Sequence, residues 1–187
     1  MAFVVVYDSC VLYSAPLRDL LMRMALADLY QAKWTRKIHE EWIRNLNKNR
    51  GIPVKILERV ANLMDAHVRD ALVEDYQKYE QLFVLPDPDD HHVLAAAIAS
   101  GAKLIVTFNQ KDFPTAVLSG FNIETQHPDE FIVSQAELNQ GKFLEAVSTH
   151  RRSLKNPPKG PEEYLETLRK QGLPKTVSYL DPFRRII

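Results

Sequence analysis

Phe3-Val4-Val5-Val6-Tyr7 is an unbroken β-branched and aromatic run that stops on an acid, Asp8. It has no polar alternation, so its natural place is a strand covered on both faces, as in a parallel sheet flanked by helices. Lys103-Leu104-Ile105-Val106-Thr107 repeats the pattern, and Phe121–Thr125 is a third candidate strand. Parallel strands need crossovers, and almost a hundred residues separate the first two runs.

Those residues carry helical signals. Pro16 opens a helix expected to run to about Gln31, with Leu17, Leu20, Leu21, Met24, Leu26 and Leu29 facing inward. Thr35 is the expected N-cap of a second, carrying Ile38, Trp42, Ile43 and Leu46 inward and ending before Gly51. Pro53 opens a third, with Ile56, Leu57, Val60, Leu63 and Met64 inward, and Asp65–Leu82 is helical only in part. Pro86-Asp87-Pro88-Asp89-Asp90 is a rigid turn, because each proline confines the preceding residue to extended geometry. It feeds the Ala-rich helix Val93–Ala99, whose small side chains permit close approach to a sheet, and Gly101 caps that helix.

Pro128 starts another helix, and from Ser134 the chain reads as helical patterns over Gln135–Leu154 and Pro161–Gln171. Asn156–Gly160 separates these two, while Pro174 and Pro182 interrupt the end. The expectation is an α/β domain over residues 1–133 with a parallel central sheet, and a helical extension over 134–187 packed on it.

Composition narrows the function. The 187 residues balance 24 Lys+Arg against 24 Asp+Glu, so bulk charge gives no case for a nucleic-acid binder. The charge is nevertheless segregated: Arg18–Arg59 holds ten basic and five acidic residues, Asp65–Asp90 eight acidic and two basic. No apolar stretch approaches the ~20 residues that span a bilayer, the first residues lack a signal-peptide pattern, and one cysteine cannot form an internal disulfide. A reducing cytoplasm is the expected setting, with no membrane.

In an open parallel sheet the ligand site lies beyond the carboxyl ends of the strands. Asp8 directly follows the first strand and Asp112 lies in the loop after the second; Asp90 starts the Ala-rich helix, and Glu41 lies on the helix capped by Thr35. Each alone has a dull reading as a cap or turn residue. Together they do not: two carboxylates ~4 Å apart repel by about 4 kcal/mol at an effective dielectric of 20, so four demand a cation or bound protons. An all-oxygen donor set suits Mg²⁺ or Mn²⁺ rather than zinc.

Four segments carry a resemblance: Val6–Leu12, Ile38-His39-Glu40-Glu41-Trp42, Pro86–Ala97 and Val106-Thr107-Phe108-Asn109-Gln110-Lys111-Asp112-Phe113. In order and spacing, over roughly residues 3–132, they resemble the motifs of PIN-domain ribonucleases, specifically the VapC-like toxins of bacterial toxin–antitoxin modules. The resemblance implies a three-layer α/β/α domain whose acidic pocket holds Mg²⁺ or Mn²⁺ and hydrolyses RNA. By position Asp8, Glu41, Asp90 and Asp112 are the acidic set, with Asp8, Asp90 and Asp112 mainly metal ligands and Glu41 a ligand or water positioner. Glu41 is preferred to Glu40 because it precedes the bulky Trp42. Ser9, Thr107 and Asn109 are polar groups able to orient a carboxylate or water, and Asp87 adds negative potential without touching metal. The implied partners are an RNA substrate, a cognate antitoxin and a second copy in a homodimer. Asn109 stands where some relatives carry a carboxylate, and the tail exceeds what a minimal toxin needs.

An acidic pocket repels RNA, so positive charge must flank it, and Arg18, Arg36, Lys37 and Arg44 are the candidates for gripping phosphates. Trp34, Trp42 and Phe108 are candidate base-stacking residues, Trp42 fitting the core better. His91 and His92 read as partly exposed first-turn residues and Cys10 as a small buried one. Two other functions compete. An aspartate after the first strand also serves phosphotransferases and phosphatases, though these prefer a second acid where Cys10 stands. A non-catalytic RNA-binding module with a degraded site is the other.

Overall fold

In the computed structural model, which describes residues 3–187, four strands lie in one all-parallel sheet: β1 (Val4–Tyr7), β2 (Gln31–Lys33), β3 (Leu104–Val106) and β4 (Glu124–Gln126). Their order is β2-β1-β3-β4. The helices are α1 (Ser9–Leu12), α2 (Ala15–Leu26), α3 (Arg36–Arg50), α4 (Val54–His67), α5 (His91–Ser100), α6 (Thr115–Leu118), α7 (Pro128–Leu138), α8 (Gln140–Ser153), α9 (Pro161–Lys170) and α10 (Pro174–Leu180). The class is α/β, a three-layer α/β/α fold with C-terminal helices, and no described helix is long and apolar enough to cross a membrane.

Two compact units form. One takes the chain up to Tyr13 together with Tyr30–His127 and contains the whole sheet; the other takes Ser14–Leu29 and Pro128–Ile187. Helix α2 therefore groups with the tail helices, packing on α8 and α9.

Within the first unit, the apolar runs became the two central strands. Val5, Val6 and Tyr7 of β1 and Leu104, Ile105 and Val106 of β3 are buried, with Val5 opposite Leu104 and Tyr7 opposite Val106. The edge strands are short and polar, Gln-Ala-Lys and Glu-Thr-Gln. That polarity hid β2 from a reading based on apolar runs. The helix expected to reach Gln31 stops at Leu26; Asp28 then adopts a left-handed backbone, φ 54°, which an Asp tolerates better than most residues.

Helix α3 follows its signals. The Thr35 hydroxyl accepts from Ile38 N at 3.1 Å, and Gly51, at φ 66°, closes the end by donating to the Asn47 carbonyl. Helix α4 buries a narrower stripe than its periodicity implied: Leu57, Ala61 and Met64 are inside, whereas Ile56 and Leu63 are 55% and 49% exposed. Five apolar residues on a two-sided helix overstate how much of it a single neighbour covers. Helix α5 packs Val93, Leu94 and Ala95–Ala97 against β1, β2 and β3, and Gly101 closes it at φ 68°. In the second unit the long pattern Gln135–Leu154 divides at Asn139, whose side chain caps α8 by accepting from Lys142 N. Pro174 begins a helix instead of interrupting one, because a missing N–H costs nothing at a first helical position.

Candidate functional site

The strand order creates the site. From β1 the chain moves to one side to form β2 and later returns on the other to form β3, so the switch lies between β1 and β3, where open α/β sheets bind ligands. Asp8 N donates to the Val106 carbonyl at 3.1 Å, which carries the β1–β3 pairing past the end of β1 and sets the Asp8 side chain at that switch.

Asp8 is buried and held on both oxygens. Its Oδ2 accepts from Thr107 Oγ1 at 2.6 Å and from Cys10 Sγ at 3.1 Å, and its Oδ1 accepts from Ser9 Oγ at 3.3 Å. Thr107 Oγ1 in turn accepts from Asn109 N at 2.9 Å. Asn109 thus acts through its backbone, a role any non-proline residue supplies, and not through the side chain that the sequence pointed to. Cys10 was legible only as a small residue. Burial, and after it the Asp8 charge, push its thiol pKa well up, so it stays S–H and donates.

Asp90 is the N-cap of α5 and half-buried. Its carboxyl is pushed up from 3.8 to about 7, by burial first and then by the charges of Asp8, Asp87, Asp112 and Glu41. Four other acids, most of them brought from distant parts of the sequence, therefore act on one carboxyl. Asp87 also accepts from Asp89 N at 2.9 Å, the local turn that aims Asp90. Among the described residues, no three Asp, Glu, His or Cys side chains are placed to close around one ion. The acids share an electrostatic neighbourhood rather than a finished chelate. Their donors are all oxygen, and the charge they leave uncompensated at Asp90 suits a hard divalent cation.

A cleft of about 260 Å³ brings Glu41 and Asp90 together with Ser9, Asp89, Asn45, Lys37 and Arg44. Glu41 lines this cleft and bonds His92, while Glu40 is exposed and lines a separate groove between α3 and α4. Of the basic candidates, Lys37 and Arg44 stand in the acidic cleft and Arg36 lines the α3–α4 groove. Arg18 differs: it lies in the second unit, only 8% exposed, its pKa lowered to about 10 by burial, so it is no solvated phosphate grip.

Of the aromatic and histidine readings, two are revised, Trp34 and His92. Trp34 is wholly buried, donating Nε1 to Asp65 Oδ1 at 2.7 Å and stacking on Tyr7, so it cannot meet a base; Trp42 is buried as expected. Phe108, after β3, is 36% exposed and keeps its availability. His92 is fully buried, not part-exposed, with Nε2 2.8 Å from Glu41 Oε1; the Ala-rich helix turned that face to the core.

This arrangement, a parallel sheet with acids gathered at its β1–β3 switch, defines a class of protein. Residues 4–111 match the PIN domain family, so the chain belongs to that family. It is VapC-like: residues 128–182 match the VapC50 C-terminal domain family. Over 82 residues the chain is 35% identical to the Mycobacterium tuberculosis protein named "Putative ribonuclease VapC50", covering 44% of this chain and 48% of that one, about half its length. No solved structure matches the chain.

Proposed function

We propose that the chain is a Mg²⁺- or Mn²⁺-dependent endoribonuclease that hydrolyses RNA phosphodiester bonds. On this reading it is the toxin of a type II toxin–antitoxin pair, a cytoplasmic homodimer held inactive by a cognate antitoxin. The observation that carries the reading is the Asp90 carboxyl, raised to about 7 by burial and four other acids. A group so placed is at ease only when protonated or beside a cation. Kinship with a protein named a ribonuclease supports the choice of RNA.

The residues divide the work. Asp8, Asp90 and Asp112 would hold the ion, Asp8 with its orientation set by Thr107, Cys10 and Ser9. When bound, the cation supplies a water of lowered pKa and neutralises charge on the phosphoryl oxygens. Glu41 positions that water, Lys37 and Arg44 bind flanking phosphates, and Phe108 offers a ring face to an unpaired base. Asp87 adds negative potential.

The test is cleavage of single-stranded and structured RNAs by the wild type and Asp8→Asn, with and without EDTA. Chelation is expected to abolish cleavage, Mg²⁺ or Mn²⁺ to restore it, and Asp8→Asn to lower it by more than about 100-fold, beyond the usual loss of a merely supporting group. Cleavage indifferent to both would remove the mechanism. Tight RNA binding without turnover would favour the binding module, and phosphate release from a phosphomonoester without RNA cleavage the phosphotransferase.

A further inference from the structure

His92 has no part in the reading above, yet it is a wholly buried imidazole on a helix whose other inward residues are Val, Leu and Ala. One nitrogen is satisfied: Nε2 lies 2.8 Å from Glu41 Oε1. The other, Nδ1, is buried with no hydrogen-bond partner among the described residues. A carboxylate only accepts, so the shared proton sits on Nε2. A proton on Nδ1 would be an orphaned buried donor, costlier than a bare lone pair. The surroundings thus select one tautomer, with its single N–H aimed at Glu41. Packing alone does not account for this, since an apolar side chain would fill the place without an orphaned nitrogen.

Glu41 has other suitors. Lys37 lies four residues before it and Arg44 three after it on α3, both at helical neighbour spacing and both lining the same cleft. Glu41 nevertheless pairs with His92 and with neither of them. We infer that His92 is a positioning residue: its Nε2–H clamps the Glu41 carboxylate on the Asp90 side of the cleft and leaves Lys37 and Arg44 free for phosphate. The inference rests on the proposed role of Glu41 in the acidic set.

The discriminating pair is His92→Leu, which removes the donor, and His92→Gln, whose amide N–H stands near the place of Nε2. His92→Leu is expected to weaken Mn²⁺ binding to the RNA-free protein about 10-fold and to lower kcat by 10- to 100-fold with little change in KM. His92→Gln is expected to recover most of both. Mn²⁺ affinity and kcat within twofold of wild type for a folded His92→Leu, or Gln no better than Leu, would overturn the inference. Should the Leu variant fail to fold, ¹⁵N NMR of the wild type decides: a His92 proton on Nε2, with a resonance that moves in Glu41→Gln, supports it, and a bare Nε2 with the proton on Nδ1 refutes it. A wild type that neither binds Mn²⁺ nor cleaves RNA would sink the nuclease reading, and the NMR measurement would still decide the His92–Glu41 clamp.

Discussion

Asp90 in the first unit is half-buried and His150 in the second is buried, yet the surroundings of these two ionisable groups act in opposite ways. At Asp90 burial and the neighbouring acids push together, raising the pKa to about 7. At His150 burial dominates and lowers the pKa to about 4, with Asp19 pulling it back up and Arg23 adding to the fall. The His150 Nδ1 meets Tyr164 Oη at 2.9 Å, while Nε2 lies 3.4 Å from Asp19 Oδ2 without hydrogen-bond geometry. One site sets like charges around a carboxyl, with Lys37 and Arg44 at the rim of its cleft; the other keeps its group neutral between an acid and a base. The first is arranged for a ligand, the second for packing.

The contrast is breakable, and the largest effect on stability is expected at His150. Its folded pKa lies below the unfolded 6.5, so the unfolded chain binds the extra proton and stability is lost as pH falls from 6.5 towards 4. At 1.36 kcal/mol per unit this amounts to roughly 2–3 kcal/mol, and His150→Gln should flatten that part of the curve in denaturant titrations. Next, Thr107→Val leaves Asp8 Oδ2 without its shortest donor and should cut RNA cleavage by about 10- to 100-fold, while Tyr164→Phe should leave cleavage intact. A matching loss in both variants would show that cleavage follows general stability.

At Asp90 the sign reverses. Its folded pKa lies above 3.8, so the folded chain binds the extra proton and stability falls as pH rises from about 4 to 7. Allowing for solvent screening of a half-exposed carboxyl, Asp90→Asn should stabilise the metal-free protein at pH 7 by about 1–2 kcal/mol and abolish cleavage. Added Mn²⁺ should stabilise the wild type and not the variant. Since the two titrations oppose each other over the same pH range, each is best read in the background that lacks the other. The smallest effect concerns the rim: Lys37→Ala with Arg44→Ala should weaken RNA binding severalfold and lower its salt dependence by up to about two phosphate contacts.

The central strands, α3 and α5 were legible because each rests on a local rule: an unalternated apolar run, a Thr N-cap, an Ala-rich stretch closed by Gly; Asp8 was placed by following a strand directly, whereas Glu41 was proposed from the resemblance. Strand β2 was not, since three residues at a sheet edge carry no hydrophobic signal and exist only because β1 supplies partners for them. Arg18 and His92 were misread because a helical pattern says that one face is covered without saying by what. The support around Asp8 was half legible: Thr107 and Ser9 by proximity to strand ends, Cys10 and the Asn109 backbone not at all.

By itself the order of residues determined the class of sheet and which acids stand at the ends of its strands, because strand burial and helix ends are decided by neighbours along the chain. Only the tertiary structure decided that Asp8 is gripped by Thr107 and Cys10, that Glu41 faces His92 rather than its own helix's cations, and that Arg18 belongs to the other unit. Those outcomes depend on distances between residues up to ninety-nine positions apart, such as Thr107 and Asp8, and hydrogen bonds and charges act through space.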